Sequence, residues 1–371
     1  MNSSALPKRI AALGVAFGLV GLPAAQAAVH KVDFSGKRIE IIVPFAPGGG
    51  TDTYIRAVAP FLQQDMPGHP TIIVRNVPGG GSIPGANEFQ EHAKPDGLHA
   101  IAVSASTVAN YVLKRSMVEY HLDKWQPIIL SPQSAVIYAS PKLGVKSPQD
   151  LPKLKGQQLV FGGESATSGE LRIIVSLKLL GLKVKDVWGL RRGPTRLAFE
   201  RGELNINYDS TPGYLEHASK LVAEGKAVPL FSMGVLNAQG QIVRDPNFKN
   251  LPSFVEAYEM MHGKKPSGPE FAAWKALFQM GIMANKSIFL PTNTPAPIVH
   301  AWREAMRKVF SDAKFRKSAD KIVGSYDQFY GTAAWPIIKE ATTISPEAWD
   351  WIRTYLKTDQ NVTIAATPPA P

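Results

Sequence analysis

The sequence predicts an α/β protein of two lobes with a ligand cleft between them. Short β-branched apolar runs recur along the chain. Several of them open directly into loops of glycine or of serine and threonine. An amphipathic helical pattern follows most of those loops. In open α/β sheets a ligand sits beyond the carboxyl ends of the strands, so these loops are where binding residues are sought.

The first 27 residues stand apart. Lys8 and Arg9 precede an apolar run from Ile10 to Leu22, Pro23 breaks it, and Ala25-Gln26-Ala27 forms a small-residue cleavage site. That order reads as a signal peptide, cut before Ala28. No later segment reaches 18 consecutive apolar residues, so the mature protein is expected to be soluble and exported to the periplasm.

Within the mature chain, RIEIIVPF (Arg38 to Phe45) reads as a buried strand ending in Ala46-Pro47-Gly48-Gly49-Gly50-Thr51-Asp52. A helix is predicted over Thr53 to Gln64, with Ile55, Val58, Ala59 and Leu62 on one face and Thr51 or Asp52 as its N-cap. TIIVRN (Thr71 to Asn76) is a second strand, running into Gly79-Gly80-Gly81-Ser82, with a helix from Ala86 to Ala93. Leu98 to Ser104 is a third strand, entering the hydroxyl-rich loop Ser104-Ala105-Ser106-Thr107. Trp125 to Ser140 reads as the crossing into a second lobe.

There, the strand Gln158 to Phe161 opens into a loop carrying Ser165, Thr167 and Ser168, followed by a helix from Glu170 to Leu180. A short helix from Pro194 to Arg201, a strand from Leu204 to Tyr208 and a strand from Val228 to Met233 follow. Residues Leu236 to Lys275 are less regular, and Met280 to Leu290 reads as the strand that returns the chain to the first lobe. Helices are predicted over Ala296 to Phe310 and Pro346 to Lys357. The first lobe is therefore expected to comprise residues 34–132 and 286–357, and the second residues 133–285. The Thr/Ala/Pro-rich end, 358–371, reads as a disordered tail.

The composition bounds the chemistry. The 371-residue chain is 44% hydrophobic and has no cysteine, so disulfides and thiolate metal sites are excluded, and the core must hold the fold. The formal charge is +11, and +9 once Lys8 and Arg9 leave with the signal. A basic surface suits an anionic ligand, or is simply solvated. The basic residues are scattered and match no nucleic-acid motif, so no nucleic-acid partner is expected. The eight histidines have no metal-ligand spacing, and no metal or cofactor is expected. Gly-x-Ser-x-Gly is absent, and no catalytic set is recognisable.

The glycine loops lack the lysine and spacing of a P-loop and the dinucleotide fingerprint. What remains is a loop of exposed amides at a helix N-terminus, which attracts a carboxylate or serves as a tight turn. Ser104, Ser106 and Thr107 offer hydroxyls to a carboxylate or cap a helix. The same two readings hold for Ser165, Thr167 and Ser168. Asp209 either accepts from a ligand or orients a neighbouring loop. Arg191, Arg192 and Arg196 either pair with a carboxylate or are solvated or structural. Trp302, Trp335, Trp349 and Trp351 read as packing residues.

Three blocks together resemble a known family: IEIIVPFAPGGGTD, IIVRNVPGGGSIPGANEF and KPDGLHAIAVSAST, with looser likeness through RGELNINYDSTPGYL and RDPNFKNLPSFVEAYE. The chain resembles the Bug-type substrate receptors of tripartite tricarboxylate transporters. The resemblance implies a two-lobed, type II-like periplasmic binding protein. It would act as a monomer, bind a small di-, tri- or aromatic carboxylate, and deliver it to membrane permease subunits without acting as an enzyme. It also implies that Phe45, Gly49, Gly50, Thr51, Asp52, Gly80 and Gly81 grip a carboxylate, with Ser104, Ser106, Thr107, Ser165, Thr167, Ser168 and Asp209 lining the cleft. Asn205 stands where the family has an acid, and Trp188-Gly189-Leu190-Arg191-Arg192-Gly193 replaces a common block, which brings in Arg192 as a further carboxylate partner. A sensory receptor for a membrane kinase, or an exported enzyme acting on small carboxylates, are the alternatives.

Overall fold

The computed structural model describes Met1 and residues 32–237 and 239–366; the expected signal peptide beyond Met1, and residues 367–371 of the expected tail, lie outside them. In chain order the first elements are β1 (Arg38–Val43), α1 (Gly50–Asp65), β2 (Thr71–Asn76), α2 (Ile83–His92), β3 (His99–Val103), α3 (Ala105–Val112) and β4 (Gln126–Ser131). Then follow β5 (Ala135–Ala139), β6 (Gln158–Gly163), α4 (Leu171–Leu179), β7 (Lys183–Trp188), α5 (Arg192–Arg201) and β8 (Ile206–Ser210). The helical turns α6 (Thr211–Gly213) and α7 (Ser219–Ala223) flank a π-helical turn. The chain continues through β9 (Val228–Ser232), β10 (Val235–Leu236), β11 (Ile242–Val243), α8 (Phe254–His262) and α9 (Gly268–Phe278). It ends with β12 (Lys286–Leu290), α10 (Ala296–Ser311), α11 (Ala313–Val323), β13 (Phe329–Tyr330), α12 (Ala334–Thr342) and α13 (Pro346–Gln360).

The first sheet has the order β13-β4-β12-β3-β1-β2. β2, β1 and β3 run parallel, and β12 lies antiparallel between β3 and β4. β1 has neighbours on both sides: Ile39, Ile41 and Val43 are fully buried on one face and Ile42 is buried on the other, in a separate core cluster, so the strand is covered on both faces towards its end. A second sheet has the order β8-β5-β9, with β6 and β7 paired beside it. Asn205 joins the two: its Oδ1 accepts from the Val160 amide (2.7 Å) and its Nδ2 donates to the Gln158 carbonyl (3.1 Å). An ionised acid accepts but cannot donate, so an acid at this position would lose one bond.

Two segments cross between the sheets, 132–134 outward and 284–285 on return. They are tied by the Gln133 amide donating to the Ile282 carbonyl (3.0 Å) and Asn285 Nδ2 donating to the Gln133 carbonyl (3.2 Å). The helices pack by apolar stripes. α10 buries Val299, Trp302, Ala305, Met306 and Val309 at helical spacing, each large side chain contributing roughly 1.5–3 kcal/mol by burial. Trp302 and Trp349 are fully buried, and Trp335 and Trp351 pack at the edge of the core, as the sequence reading has it.

Four expectations are corrected. The helix after the first glycine loop starts one turn earlier, at Gly50, with Gly49 as its N-cap, because Asp52 turns its carboxylate back to the loop. Ser104 to Thr107 is the capped first turn of α3 rather than a loop. Residues 236–275 include two helices, α8 and α9, the first held by a capping box between Ser253 and Glu256. The closing helix α13, expected with the first lobe, packs on α9. It continues to Gln360, which reaches Asp186 at 2.7 Å, and Ile364 beyond it is buried, so 358–366 are not a free tail.

Candidate functional site

At the carboxyl ends of β1, β2 and β3 the chain makes three loops that face the second sheet. The first is positioned by a knot of side chains. Asp52 accepts from the Gly48 amide (2.9 Å), from Arg56 Nε (2.9 Å) and from Asn76 Nδ2 (2.9 Å), while the same Asn76 amide donates to the Phe45 carbonyl (2.9 Å). Burial pushes the Asp52 carboxyl up, but Arg56, the Gly48 amide and Asn76 together outweigh it and hold it below the usual range. This knot leaves the first-turn amides of α1, at Gly50 and Thr51, without intrahelical acceptors and at the cavity wall.

The second loop needs its glycines. Gly79, Gly80 and Gly81 have φ of 120°, 53° and 64°, and a Cβ on Gly81 would meet Asn110 Nδ2 at 2.8 Å. The turn delivers Ser82, whose Oγ donates to Thr107 Oγ1 at 2.9 Å. Thr107 also accepts from the Ser104 amide (3.4 Å), so its hydroxyl is spent on holding the second and third loops together. Ser106 points the other way. Its Oγ accepts from the Gly169 amide at 3.2 Å, a direct bond between the first turn of α3 and the loop before α4.

These loops and the second sheet enclose a cavity of about 330 Å³, at the small end of ligand sites. Its wall brings together Phe45, Gly49, Gly50, Thr51, Ser104, Ser106 and Arg192 from the sequence-derived set. It leaves the others behind the wall. Asp52 and Thr107 are turned into the knots just described. Gly80 and Gly81 are carried outward by their left-handed turn, and Gly79 and Ser82 line the cavity instead. Ser165, Thr167 and Ser168 close their own turn: Ser168 Oγ donates to the Ser165 carbonyl (2.7 Å) and to Glu170. Asp209 is fully buried, accepting from Tyr138 Oη at 2.9 Å with Arg196 Nε at 3.6 Å, so it orients the strand end.

Arg192 lines the cavity, yet its terminal N–H groups are engaged by the protein. Nη1 donates to the Tyr208 carbonyl (2.6 Å) and Nη2 to the Gly162 carbonyl (3.0 Å), and the guanidinium lies 4.2 Å from the Tyr208 ring centre. It fastens β6 to β8 instead of reaching into the cavity.

The wall also holds groups the sequence reading missed: Glu164, Glu170, Arg172, Tyr208, Ser210, Asn285 and Lys286. Burial pushes the Glu164 carboxyl up, helped by Glu170 and opposed by the Gly81 amide, Arg191 and Arg192. Lys286 is 6% exposed, and burial, reinforced by the Arg172 charge, pulls its ammonium down from 10.5 to about 7. With Arg172, Arg191, Arg192 and Arg196 also in the wall against Glu164 and Glu170, the cavity is electropositive. Such a wall, with free amides and a buried cation at one corner and further arginines around it, holds a small anion and orients it.

Among the described residues no cluster of His, Asp or Glu is arranged to hold a metal ion, and no helix is long and apolar enough to cross a membrane.

No protein-family model matches the chain. Among curated proteins it is 28% identical over 196 residues to a UPF0065 protein of Bordetella pertussis, covering 51% of this chain and 59% of that one. It is 24% identical over 221 residues to the protein BugT of the same organism, covering 57% and 65%. The matches thus span about three fifths of the length of these relatives. Among solved structures, MatC from Rhodopseudomonas palustris with bound malate superposes with a TM-score of 0.61 at 20% identity, over 85% of this chain and 98% of that one. At that identity the likeness is one of fold: this chain has the fold of the periplasmic binding proteins.

Proposed function

We propose that this chain, similar in sequence and fold to the Bug-type receptors of tripartite tricarboxylate transporters, is a periplasmic receptor that captures a small carboxylate and hands it to a membrane permease. The observation that carries the reading is the electropositive cavity between the two sheets, whose wall joins the α1 amides, Lys286 and Arg172. Each sheet with its helices acts as a lobe. The segments 132–134 and 284–285 act as the hinge, and the Ser106–Gly169 bond closes the cleft over the ligand. A ligand touching both lobes favours the closed form through contacts that the open form lacks. The signal-type N-terminus supports export, and the bound malate of MatC supports a dicarboxylate as the first ligand class to test. A thermal-shift panel of mono-, di- and tricarboxylates at fixed pH and salt tests the reading. A raised melting temperature with one class, weakened by Ser106→Ala, is expected; no shift with any of them contradicts it.

A further inference from the structure

Lys286 opens β12, a strand whose residues are all buried, and it is itself buried at the cavity wall. Among the described residues its Nζ has one hydrogen-bond partner, the neutral Asn285 Oδ1 at 3.2 Å, and no carboxylate is paired with it. The charged group acting on it is Arg172, another cation, itself 4% exposed. The acids of the neighbouring elements are engaged elsewhere: Asp52 of α1 with Arg56, Asp209 of β8 with Tyr138, and Glu170 before α4 with Ser168 and Tyr208. Glu164, the other acid of the cavity wall, is set against the Gly81 amide, Arg191 and Arg192, and Arg196 lies against Asp209; Ser131 of β4, opposite Lys286 in the sheet, and Ser210, at the end of β8, are neutral.

The same corner holds the start of α1. A methyl group built on Gly50 would lie 3.6 Å from Ser210 Oγ and 4.0 Å from Lys286 Nζ. Gly50 therefore keeps an atom-sized space between its own amide, a hydroxyl and an ammonium. Burying a cation without a counter-charge is costly, and folds retain one where an anion arrives to complete it.

We propose that Lys286 is the charge partner of a ligand carboxylate seated on the first turn of α1, and that seating this carboxylate draws a proton onto Lys286. The inference rests on the receptor reading and specifies its chemistry. One carboxylate lies between the Gly50 and Thr51 amides, Ser210 Oγ and Lys286 Nζ, so neutral isosteres are rejected at this end of the ligand. The proton follows from the surroundings. Without a ligand, burial and Arg172 keep the ammonium from being fully protonated near neutral pH, and a carboxylate at hydrogen-bond distance restores it.

The test is calorimetric titration of the full mature protein with malate, adipate and their diamides, in two buffers of different ionisation enthalpy at about pH 7.5, just above the lowered lysine value. The wild type is expected to bind a dicarboxylate, to reject its diamide, and to show a buffer-dependent enthalpy that reports proton uptake. Lys286→Met is expected to weaken the dicarboxylate about 10- to 100-fold and to abolish the buffer dependence. If wild type binds a dicarboxylate and Lys286→Met binds it equally well, or if wild type binds with no proton uptake, the inference is overturned while the receptor reading stands. If wild type binds no carboxylate, both fall. Should Lys286→Met not fold, the wild-type proton uptake and a Gly50→Ala variant, which fills the seat, decide the matter.

Discussion

Replacing Lys286 by methionine should make the ligand-free protein more stable. In the unfolded chain the lysine keeps its proton up to about pH 10.5, whereas in the fold it loses it near pH 7. At about 1.4 kcal/mol per pH unit, holding this side chain in the cavity wall costs about 4–5 kcal/mol at pH 7. Methionine has a similar length, needs no proton, and gives up only the bond to Asn285, worth about 1 kcal/mol. The net gain expected is about 3 kcal/mol, or about 4 °C in melting temperature for a chain of this size. The sign with pH follows from the lowered value. Between about pH 7 and 10.5 the unfolded state binds more protons, so wild-type stability rises with pH across that window, and below pH 7 the penalty is constant. Lys286→Met lacks this slope, so its advantage should shrink to about 1 kcal/mol at pH 9. Urea unfolding of both proteins at about pH 7 and about pH 9 reads it out. A variant less stable than wild type near neutral pH, or an advantage that does not change with pH, would refute the reasoning.

Three further outcomes follow from the loops. Asp52→Asn removes the charge held by the partly exposed Arg56. It should lower stability by up to about 1 kcal/mol at pH 7, a loss that shrinks as wild-type Asp52 is protonated below its lowered value; acid titration of the two unfolding curves checks it. Thr107→Val removes the cap between the second and third loops and should cost about 1–2 kcal/mol in urea, whereas Ser106→Ala should cost less stability and more ligand affinity. Asn205→Asp restores the acid common in the resembling family but loses the bond to the Gln158 carbonyl. Thermal unfolding should show a drop of about 1–2 kcal/mol at pH 7.

The strands and their loops were legible because a strand of a covered sheet is a short, mostly apolar, β-branched run, and three glycines after it mark a sharp turn, left-handed throughout at Gly79 to Gly81 and at Gly48 alone in the first loop. The helix of residues 254–262 was also legible in principle, since Ser253-Phe254-Val255-Glu256 is a capping-box spacing, but Gly263 and Gly268 broke the pattern that surrounds it. The site was only half legible. Serine and threonine after a strand look alike whether they face a ligand or cap a helix, and the structure divides them: Ser106 faces the cavity while Thr107 turns inward. Lys286 and Arg172 could not be found by motif, because each is a cation set in a mostly apolar segment, KSIFL and LRIIVSLKL, with no partner nearby in sequence, and only the fold brings the two together. The trace they leave is a basic residue where the pattern demands a buried one. Arg192, singled out for its place in an altered block, proves to be bound to backbone carbonyls.

The central claim is that the cavity binds a small dicarboxylate. Titrating the mature protein with malate and adipate against their diamides, and following heat and melting temperature together, tests it most directly. The account predicts saturable binding of a dicarboxylate, a melting temperature that rises with its concentration, and no response to the diamide; a saturated receptor at about 100 times Kd should gain about 3 kcal/mol. A protein that is folded yet indifferent to every carboxylate, or one that binds the diamide as well as the diacid, would contradict it.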